Sequence, residues 1–291
     1  MNELVSVVVP VGRVDEQLHE QLSALMAQKC SRPFEVILAD NSTAPETRAE
    51  LERAVERFAD ERFRVVDAGE RRGASYARNA GVRAARGGAL AFCDSDDVVH
   101  DTWLQGLTDA MERFDVVGGR LINFGLSEKE AAIRPPATPD ELPTFLGVPY
   151  VTSGSMATTP AVFEAAGGFD EDLIRCEDIA LSWKMLSLGY TLGFAGDAVT
   201  DYRHRPGLSA MVRQHVQYGR GMSQVLMRYG LPEGSGWSHP RGAALLRPNG
   251  QPGGSRSAAG LLRRASLGVG RAVGIVSETV RKRRASSSTG R

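Results

Sequence analysis

Three aspartates follow directly after a short apolar run in the first half of the chain. The run Ala89–Cys93 has the composition of a buried strand, and it is followed at once by Asp94, Asp96 and Asp97. In extended chain, side chains two residues apart point the same way, so Asp94 and Asp96 could share one hard cation or the phosphate bound to it. A turn whose aspartates cap the next helix explains the same residues. The segment therefore predicts either a metal or phosphate site or a capping turn.

Two other groups of polar residues stand where they could do chemistry. Glu177 and Asp178 begin the helix predicted over residues 176–188, where acidic side chains complement the helix dipole. His204 follows a strand-like run. A lone histidine is most often a surface or packing residue, but its imidazole can also bind the cation that the aspartates would hold. The spacing of these residues does not decide between the roles.

The elements that must position these residues alternate between strands and helices. Over the first 93 residues the pattern is β-α-β-α-β-α-β, with strands predicted at Val5–Pro10, Phe34–Asp40, Phe63–Asp67 and Ala89–Cys93. This alternation predicts a parallel sheet that is covered by helices and joined by right-handed crossovers. Such sheets bind ligands at the carboxyl ends of their strands, which is where the aspartates lie. No Gly-x-Gly-x-x-Gly or Gly-x4-Gly-Lys-Ser/Thr motif is present, so neither a dinucleotide-binding fold nor a P-loop is predicted.

The second half of the chain contains further elements and one long irregular segment. Strands are predicted at Val116–Leu121, Tyr190–Phe194 and Ala198–Tyr202, and a helix is predicted over Ser209–Tyr229. Residues 127–149 are rich in proline and charge, which predicts a long exposed loop.

Composition divides the chain into a folded part and a basic tail. The 291 residues are 42% hydrophobic, which is typical of a globular protein, and the chain carries no net charge. The folded domain is predicted over residues 1–230, and residues 231–291 form a linker and tail rich in glycine, serine, proline and arginine. From residue 241 onward, eleven Arg or Lys residues are accompanied by one acid, Glu278. A tail of this charge suits either an anionic surface or a solvated end.

Part of the tail has the pattern of an amphipathic helix. Its apolar residues fall on one helical stripe, made of Leu262, Val269, Val273, Val276 and Val280. Basic residues beside such a stripe favour a helix that lies on an anionic membrane leaflet. Gly268, Gly270 and Gly274 instead favour a disordered tail, since each costs about 1 kcal/mol of helix stability relative to alanine. Both interpretations stay open at this point.

The remaining sequence features bear on location and partners. The three cysteines are widely spaced and contain no Cys-x-x-Cys pair, which argues against a disulfide framework or a structural zinc site and fits a reducing cytosol. No signal peptide is recognisable, and no apolar segment reaches the roughly 20 residues that span a bilayer. We therefore expect a cytoplasmic protein, peripheral on the inner face of the membrane if it meets one. No aromatic residue stands among the arginines of the tail, so we expect no nucleic-acid partner.

Six short blocks occur along the chain in a recognisable order. They are VSVVVP from Val5, EVILADNS from Glu35, GASYARNAG from Gly73, LAFCDSDD from Leu90, GGFDE from Gly167 and CEDIAL from Cys176. Together they resemble the inverting family-2 glycosyltransferases of the GT-A fold. The resemblance implies a Rossmann-like α/β domain with a mixed, mostly parallel sheet. It also implies an enzyme that moves a sugar from a nucleotide diphosphate donor to a hydroxyl acceptor on a glycan, a lipid-linked saccharide or another metabolite, with inversion at the anomeric carbon.

The resemblance assigns three residues to the nucleotide of the donor. Pro10 and Asp40 would line the nucleoside pocket, where Asp40 would accept a hydrogen bond from the base, and Arg78 would lie near the diphosphate. Two positions depart from the family pattern. Val-Gly-Arg follows Pro10 where the family usually has an aromatic residue and asparagine, and Asn41 replaces the usual second acid, so the donor base is not specified.

The resemblance also implies a metal site and a catalytic base. Asp94 and Asp96 would form the family's Asp-x-Asp motif, with Asp94 and Ser95 on the donor and both carboxylates toward Mg²⁺ or Mn²⁺. His204 would supply a further metal ligand. A bound divalent cation would stabilise the charge that develops on the departing diphosphate.

On the acceptor side, the resemblance makes Asp178 the general base, with Glu177 and Asp170 nearby. A carboxylate that accepts the acceptor's proton typically raises the rate by about 10²–10⁴-fold. Because Asp178 begins a helix, the helix dipole is expected to keep it ionised. Lys184 stands where the family commonly has arginine.

Two rival functions fit part of the same pattern. The run from Asp94 also resembles the nucleophile motif of haloacid-dehalogenase-type phosphatases, with Asp94 and Asp96 as nucleophile and acid/base. In that family the nucleophile strand usually opens the fold, whereas here three strands precede it. A sugar-nucleotide-binding protein that has lost its chemistry is the other alternative.

Overall fold

The computed structural model describes residues 3–42, 44–126, 140–173, 175–204, 207–230 and 258–288. The strands are β1 (Val5–Val11), β2 (Phe34–Asp40), β3 (Phe63–Asp67), β4 (Ala89–Cys93), β5 (Val98–Val99), β6 (Val116–Phe124), β7 (Thr144–Phe145), β8 (Val148–Pro149), β9 (Ser155–Thr158) and β10 (Leu192–Arg203). The helices are α1 (Glu16–Met26), α2 (Pro45–Phe58), α3 (Ala74–Ala84), α4 (Trp103–Ala110), α5 (Pro160–Ala165), α6 (Glu177–Ser187), α7 (Leu208–Tyr229) and α8 (Ala258–Ser288).

The main sheet is mixed and mostly parallel, as the resemblance implied. Its strand order is β3-β2-β1-β4-β9-β6-β10-β5. The pairs β2/β3, β1/β2, β1/β4 and β6/β10 are parallel, whereas β9 runs antiparallel to both of its neighbours and β5 runs antiparallel to β10. The alternation predicted over the first 93 residues is confirmed. Apolar clusters fill both faces of the sheet, one against α1, α2 and α4 and the other against α5 and α6.

Two predicted segments differ from the structure. The strands expected at 190–194 and 198–202 are one strand, β10, whose pairing with β6 shifts between Ala195 and Val199. The bulge holds Gly196 and Asp197 and lets the chain bend without leaving the sheet. The loop expected over 127–149 contains the short hairpin β7/β8. Residues 127–139 of that loop lie outside the described part of the chain.

Helix α8 packs along α7, and its glycines make the close approach possible. A Cβ atom added at Gly270 would lie 1.9 Å from the carbonyl oxygen of Val216, and one added at Gly274 would lie 2.5 Å from that of Arg220. The interpretation of these two glycines as signs of disorder is therefore wrong for the described residues. They are the contact face of a helix, where a missing side chain lets two backbones meet. The boundary predicted at residue 230 stays a prediction, because residues 231–257 are not described.

Candidate active site

Arg78 joins the aspartate-rich turn after β4 to the start of α6. The side chain comes from the inner face of α3 and is buried. Its Nη2 donates to Oδ1 of Asp94 at 2.5 Å, and its Nη1 donates to Oε1 of Glu177 at 3.0 Å. Burial opposes the guanidinium charge, but Asp94 and Glu177 outweigh it and raise the pKa of Arg78. Residues nearly a hundred positions apart are thus fixed within one ion-pair cluster.

The segment after β4 is a turn, not extended chain. Ser95 and Asp96 form this turn and are half-buried. The argument that extended backbone aims Asp94 and Asp96 the same way is therefore wrong, and other contacts must set the direction of the carboxylates. Gln21, fully buried on α1, supplies two of these contacts: its side chain donates to the carbonyl of Asp94 at 3.0 Å and accepts from the amide of Val99 at 3.0 Å.

The third aspartate of the turn supports the backbone. Asp97 is 1% exposed, and its Oδ1 accepts a hydrogen bond from the amide of Arg203 at 2.8 Å. Burial, and then the charge of Asp94, hold the pKa of Asp97 well above its usual range. Asp97 therefore attaches the turn to the end of β10.

Asp178 lies in the first turn of α6, two residues after a sharp bend of the backbone at Cys176. Cys176 adopts the left-handed conformation, with φ of 66°, and turns the chain into the helix. Oδ1 of Asp178 accepts from the amide of Ile179 at 2.8 Å. Burial, and next the charge of Glu177, raise the pKa of Asp178 to about 7. Desolvation thus opposes the helix dipole that was expected to keep Asp178 ionised, and it raises the pH at which the carboxyl loses its proton.

The expected nucleoside side of the site lies at the ends of β1 and β2. Pro10 and Asp40 belong to these paired strands, and Asp40 is 5% exposed. Its Oδ1 accepts from the amide of Ser42 at 3.0 Å, and its Oδ2 is 3.9 Å from Nη1 of Arg48.

Asn41 holds the loop that borders Asp40. Its Nδ2 donates to the carbonyl of Arg71 at 2.8 Å, and its Oδ1 accepts from the amide of Gly73 at 2.7 Å. An amide can donate and accept at once, which a carboxylate cannot do. The asparagine that departs from the family pattern thus organises residues 71–73 at the start of α3.

His204 follows β10, beyond Asp97's hydrogen-bond partner Arg203. Its Nε2 lies 2.8 Å from Oδ1 of Asn123, and its ring meets the ring of Tyr202 edge-on. Among the described residues, no three His, Cys, Asp or Glu side chains form a cluster that could hold a metal ion by themselves.

The donor set nevertheless suits a hard divalent cation that is shared with a substrate. Mg²⁺ is commonly held by one or two carboxylates while substrate phosphates complete its shell. The half-buried turn of Asp94 and Asp96 offers such carboxylate oxygens at a strand's end.

Asp170 and Glu171, in the GGFDE block, are held by contacts from two helices. Oδ2 of Asp170 accepts from Nη1 of Arg228 at 3.0 Å and from the hydroxyl of Tyr229. Glu171 accepts from the side-chain amide of Asn79 at 2.8 Å. The block that leads into α6 is thus anchored to both α3 and α7, and the acceptor-side role of Asp170 stays a prediction.

Comparison with known proteins identifies the family. The model described as "Glycosyl transferase family 2" matches residues 6–159, over half of the chain. The chain belongs to this family. Curated relatives match the chain more widely. The glycosyltransferase AglE of Haloferax volcanii is 27% identical over 77% of the chain and 74% of the relative. The pre-mycofactocin glycosyltransferase of Mycobacterium tuberculosis is 24% identical over 77% of the chain, which spans 48% of that relative.

Solved structures support the same fold. The mannosyltransferase PcManGT from Pyrobaculum calidifontis, in complex with GDP-Man and Mn²⁺, superposes with a TM-score of 0.57 at 17% identity, covering 95% of this chain and 75% of its own. The TarS 1-349 structure from S. aureus superposes with a TM-score of 0.53 at 19% identity, covering 76% of this chain and 69% of its own. The fold is GT-A, and the chain is a glycosyltransferase of family 2. The phosphatase and the non-catalytic alternatives find no support.

Sequence reasoning missed Gln21 and the joining role of Arg78. Gln21 carried a signal, because it interrupts the apolar face of α1 made by Leu18, Leu22 and Leu25. A polar residue on such a face needs a buried partner. The partners of Arg78 carried no local signal, because Glu177 lies 99 positions away.

Proposed function

We propose that this protein is a metal-dependent, inverting glycosyltransferase that moves a sugar from a nucleoside diphosphate donor to a hydroxyl acceptor. One observation carries the proposal. Arg78 binds both Asp94, in the Asp-x-Asp turn, and Glu177, the neighbour of Asp178. The residues proposed to hold the donor and the residue proposed to activate the acceptor therefore belong to one site.

The donor is proposed to lie across the ends of β1, β2 and β4. Pro10 and Asp40 would border the nucleoside, and Asp94 and Ser95 would contact the ribose or sugar. Arg78 is already held by two carboxylates, so its proposed effect on the diphosphate is electrostatic and acts through the position of Asp94.

Asp94 and Asp96 would hold Mg²⁺ or Mn²⁺, with His204 as a further ligand. When bound, the cation would neutralise charge on the departing diphosphate. The Mn²⁺ complex of the mannosyltransferase neighbour supports this cofactor class for the shared fold.

Asp178 is proposed to accept the proton of the attacking hydroxyl. Its pKa of about 7 makes it a stronger base than an ordinary carboxylate while leaving it substantially ionised near neutral pH. Direct attack by the acceptor on the face opposite the diphosphate inverts the anomeric centre. Glu177, held by Arg78, keeps the start of α6 in place for this step, and Asp170 fixes the preceding loop.

The acceptor is proposed to be a glycan, a lipid-linked saccharide or another hydroxyl metabolite at an anionic membrane surface. The basic residues of α8 support a membrane partner. No described helix combines the length and apolarity needed to cross a bilayer. Association through the surface of the protein is the mode that this proposal requires.

The test is a donor screen. The protein is incubated with Mn²⁺ or Mg²⁺ and a panel of nucleotide sugars, and release of nucleoside diphosphate is recorded with and without sugar or lipid acceptors. We expect release from one donor class, loss of release with EDTA, and a product of inverted anomeric configuration by NMR. Release that is unaffected by EDTA, or a product that retains configuration, would contradict the metal or the inverting assignment respectively.

A further inference from the structure

Helix α8 has an inner face that is fixed to the catalytic domain. Its only acid, Glu278, is 1% exposed and accepts from Nε of Arg228 at 3.0 Å. Arg228 in turn donates to Asp170, in the loop before α6. Together with the backbone contact at Gly270, these bonds hold α8 against α7 along much of its length. The helix is therefore already formed and oriented before any partner binds.

A second face of α8 carries an apolar stripe that the described protein does not cover. The exposed fractions are 59% for Leu261, 38% for Leu262, 57% for Val269, 45% for Val273 and 64% for Val276. From residue 261 to residue 276 the stripe is about 22 Å long at the helical rise of about 1.5 Å per residue. Apolar side chains aligned over this length on a helix surface mark a docking site.

The charges around the stripe select the kind of partner. Six Arg or Lys residues border the stripe along the sequence: Arg263 and Arg264 near its start, and Arg281, Lys282, Arg283 and Arg284 beyond its end. Arg271 is 6% exposed and belongs to the inner face. The one acid of the helix, Glu278, is buried and accepts from both Arg228 and Arg281, so it partly neutralises Arg281 but leaves the other basic residues beside the stripe without a carboxylate from α8. Burial, and next the charge of Arg264, lower the pKa of Arg263, so positive charges on α8 already crowd one another.

A second copy of this chain would be a poor partner for the apolar stripe of α8. If two stripes packed in parallel, both Arg281–Arg284 clusters would meet, and if they packed antiparallel, each cluster would meet Arg263 and Arg264 of the other copy. Like charges would face each other in both arrangements. An apolar interior bordered by anionic headgroups matches the stripe and the charges together.

We infer that α8 docks on an anionic lipid bilayer with the Leu261–Val276 stripe inserted among the headgroups. This inference rests on the proposed membrane-side function and gives it a specific surface. Since α8 is held through Glu278 and Arg228 to the loop at Asp170, docking would fix the orientation of the active site relative to the bilayer. A lipid-linked acceptor would then meet the site from a constant direction.

The experiment compares binding to vesicles of phosphatidylcholine with and without phosphatidylglycerol, measured by co-sedimentation of the full chain. The stripe variant is Val269→Gln/Val276→Gln, and the matched control is Leu188→Gln, which removes a 55% exposed apolar side chain that does not belong to α8. A third variant, Lys282→Gln/Arg283→Gln, tests the charge. Circular dichroism and thermal unfolding establish that each variant is folded.

We expect the parent and the control to bind anionic vesicles at low salt, and the stripe variant to bind at least about 10-fold more weakly. Each lost positive charge should weaken binding about 5-fold, and binding should fall with added salt. Unchanged binding by the stripe variant, or equal binding to neutral vesicles, would overturn the inference. So would a dimer in sedimentation that the stripe variant dissociates, since a second copy would then cover the face. Donor hydrolysis without vesicles tests the enzymatic proposal separately, because both stripe positions are exposed residues of α8 and neither is a proposed site residue.

Discussion

Replacing Asp178 with asparagine should lower turnover by orders of magnitude and stabilise the protein at alkaline pH. Burial raises the pKa of Asp178 from an ordinary 3.8 to about 7, so ionising it in the folded protein is unfavourable. A difference of about 3 pH units corresponds to roughly 4 kcal/mol at about 1.4 kcal/mol per unit. The amide keeps the shape of the side chain and can still accept from the amide of Ile179.

The sign of the effect follows from proton binding. The folded state holds the proton of Asp178 up to about pH 7, whereas the unfolded chain releases it near pH 4. The parent therefore loses stability as the pH rises between these values, and the loss is complete above pH 7. Asp178→Asn removes this titration. The free energy of unfolding of the variant should therefore exceed that of the parent by up to about 4 kcal/mol at pH 8 and by little at pH 4.

The assay is urea unfolding of both proteins, without metal or donor, at pH 4, 6 and 8. Donor binding should stay nearly intact in Asp178→Asn while turnover falls by about 10²–10⁴-fold. In the parent, kcat/KM should rise with pH along an acidic limb near pH 7. Identical pH dependence of stability in the two proteins would refute the raised pKa of Asp178, and undiminished turnover would refute its role as base.

Three further predictions follow from the contacts around the site and α8. Asp96→Asn should lower metal-dependent kcat/KM by roughly 100-fold without unfolding the protein, and titration with Mn²⁺ against donor binding checks this. Arg78→Met should lower the free energy of unfolding by about 3 kcal/mol, because it leaves the carboxylates of Asp94 and Glu177 without their partner; equal urea midpoints would contradict this. Gly270→Ala should loosen α8 and expose it to limited proteolysis, since its new Cβ would overlap a backbone carbonyl, whereas Gly268→Ala, with nothing within 4 Å, should strengthen the helix by up to about 1 kcal/mol.

The sequence by itself determined the first half of the sheet and the place of the acidic turn. Apolar runs such as Ala89–Cys93 are local signals, and each strand of the β-α alternation follows from residues within its own segment. The carboxyl end of β4 was predictable as a site for the same reason, because parallel strands bring their carboxyl ends to one edge. The six ordered blocks identified the family without any knowledge of contacts.

Only the tertiary structure decided which partners the polar residues of the site have and how strongly they are desolvated. Arg78 binds Glu177 across 99 positions, and Gln21 reaches the carbonyl of Asp94 across 73, so no local pattern could reveal either bond. The helix dipole was readable from the position of Asp178, but the larger opposing effect is desolvation, which depends on the packing of distant segments. The effect of the glycines of α8 also depends on packing against a distant segment. In an isolated helix Gly270 is destabilising, whereas against the backbone of α7 it is the residue that lets the two helices touch.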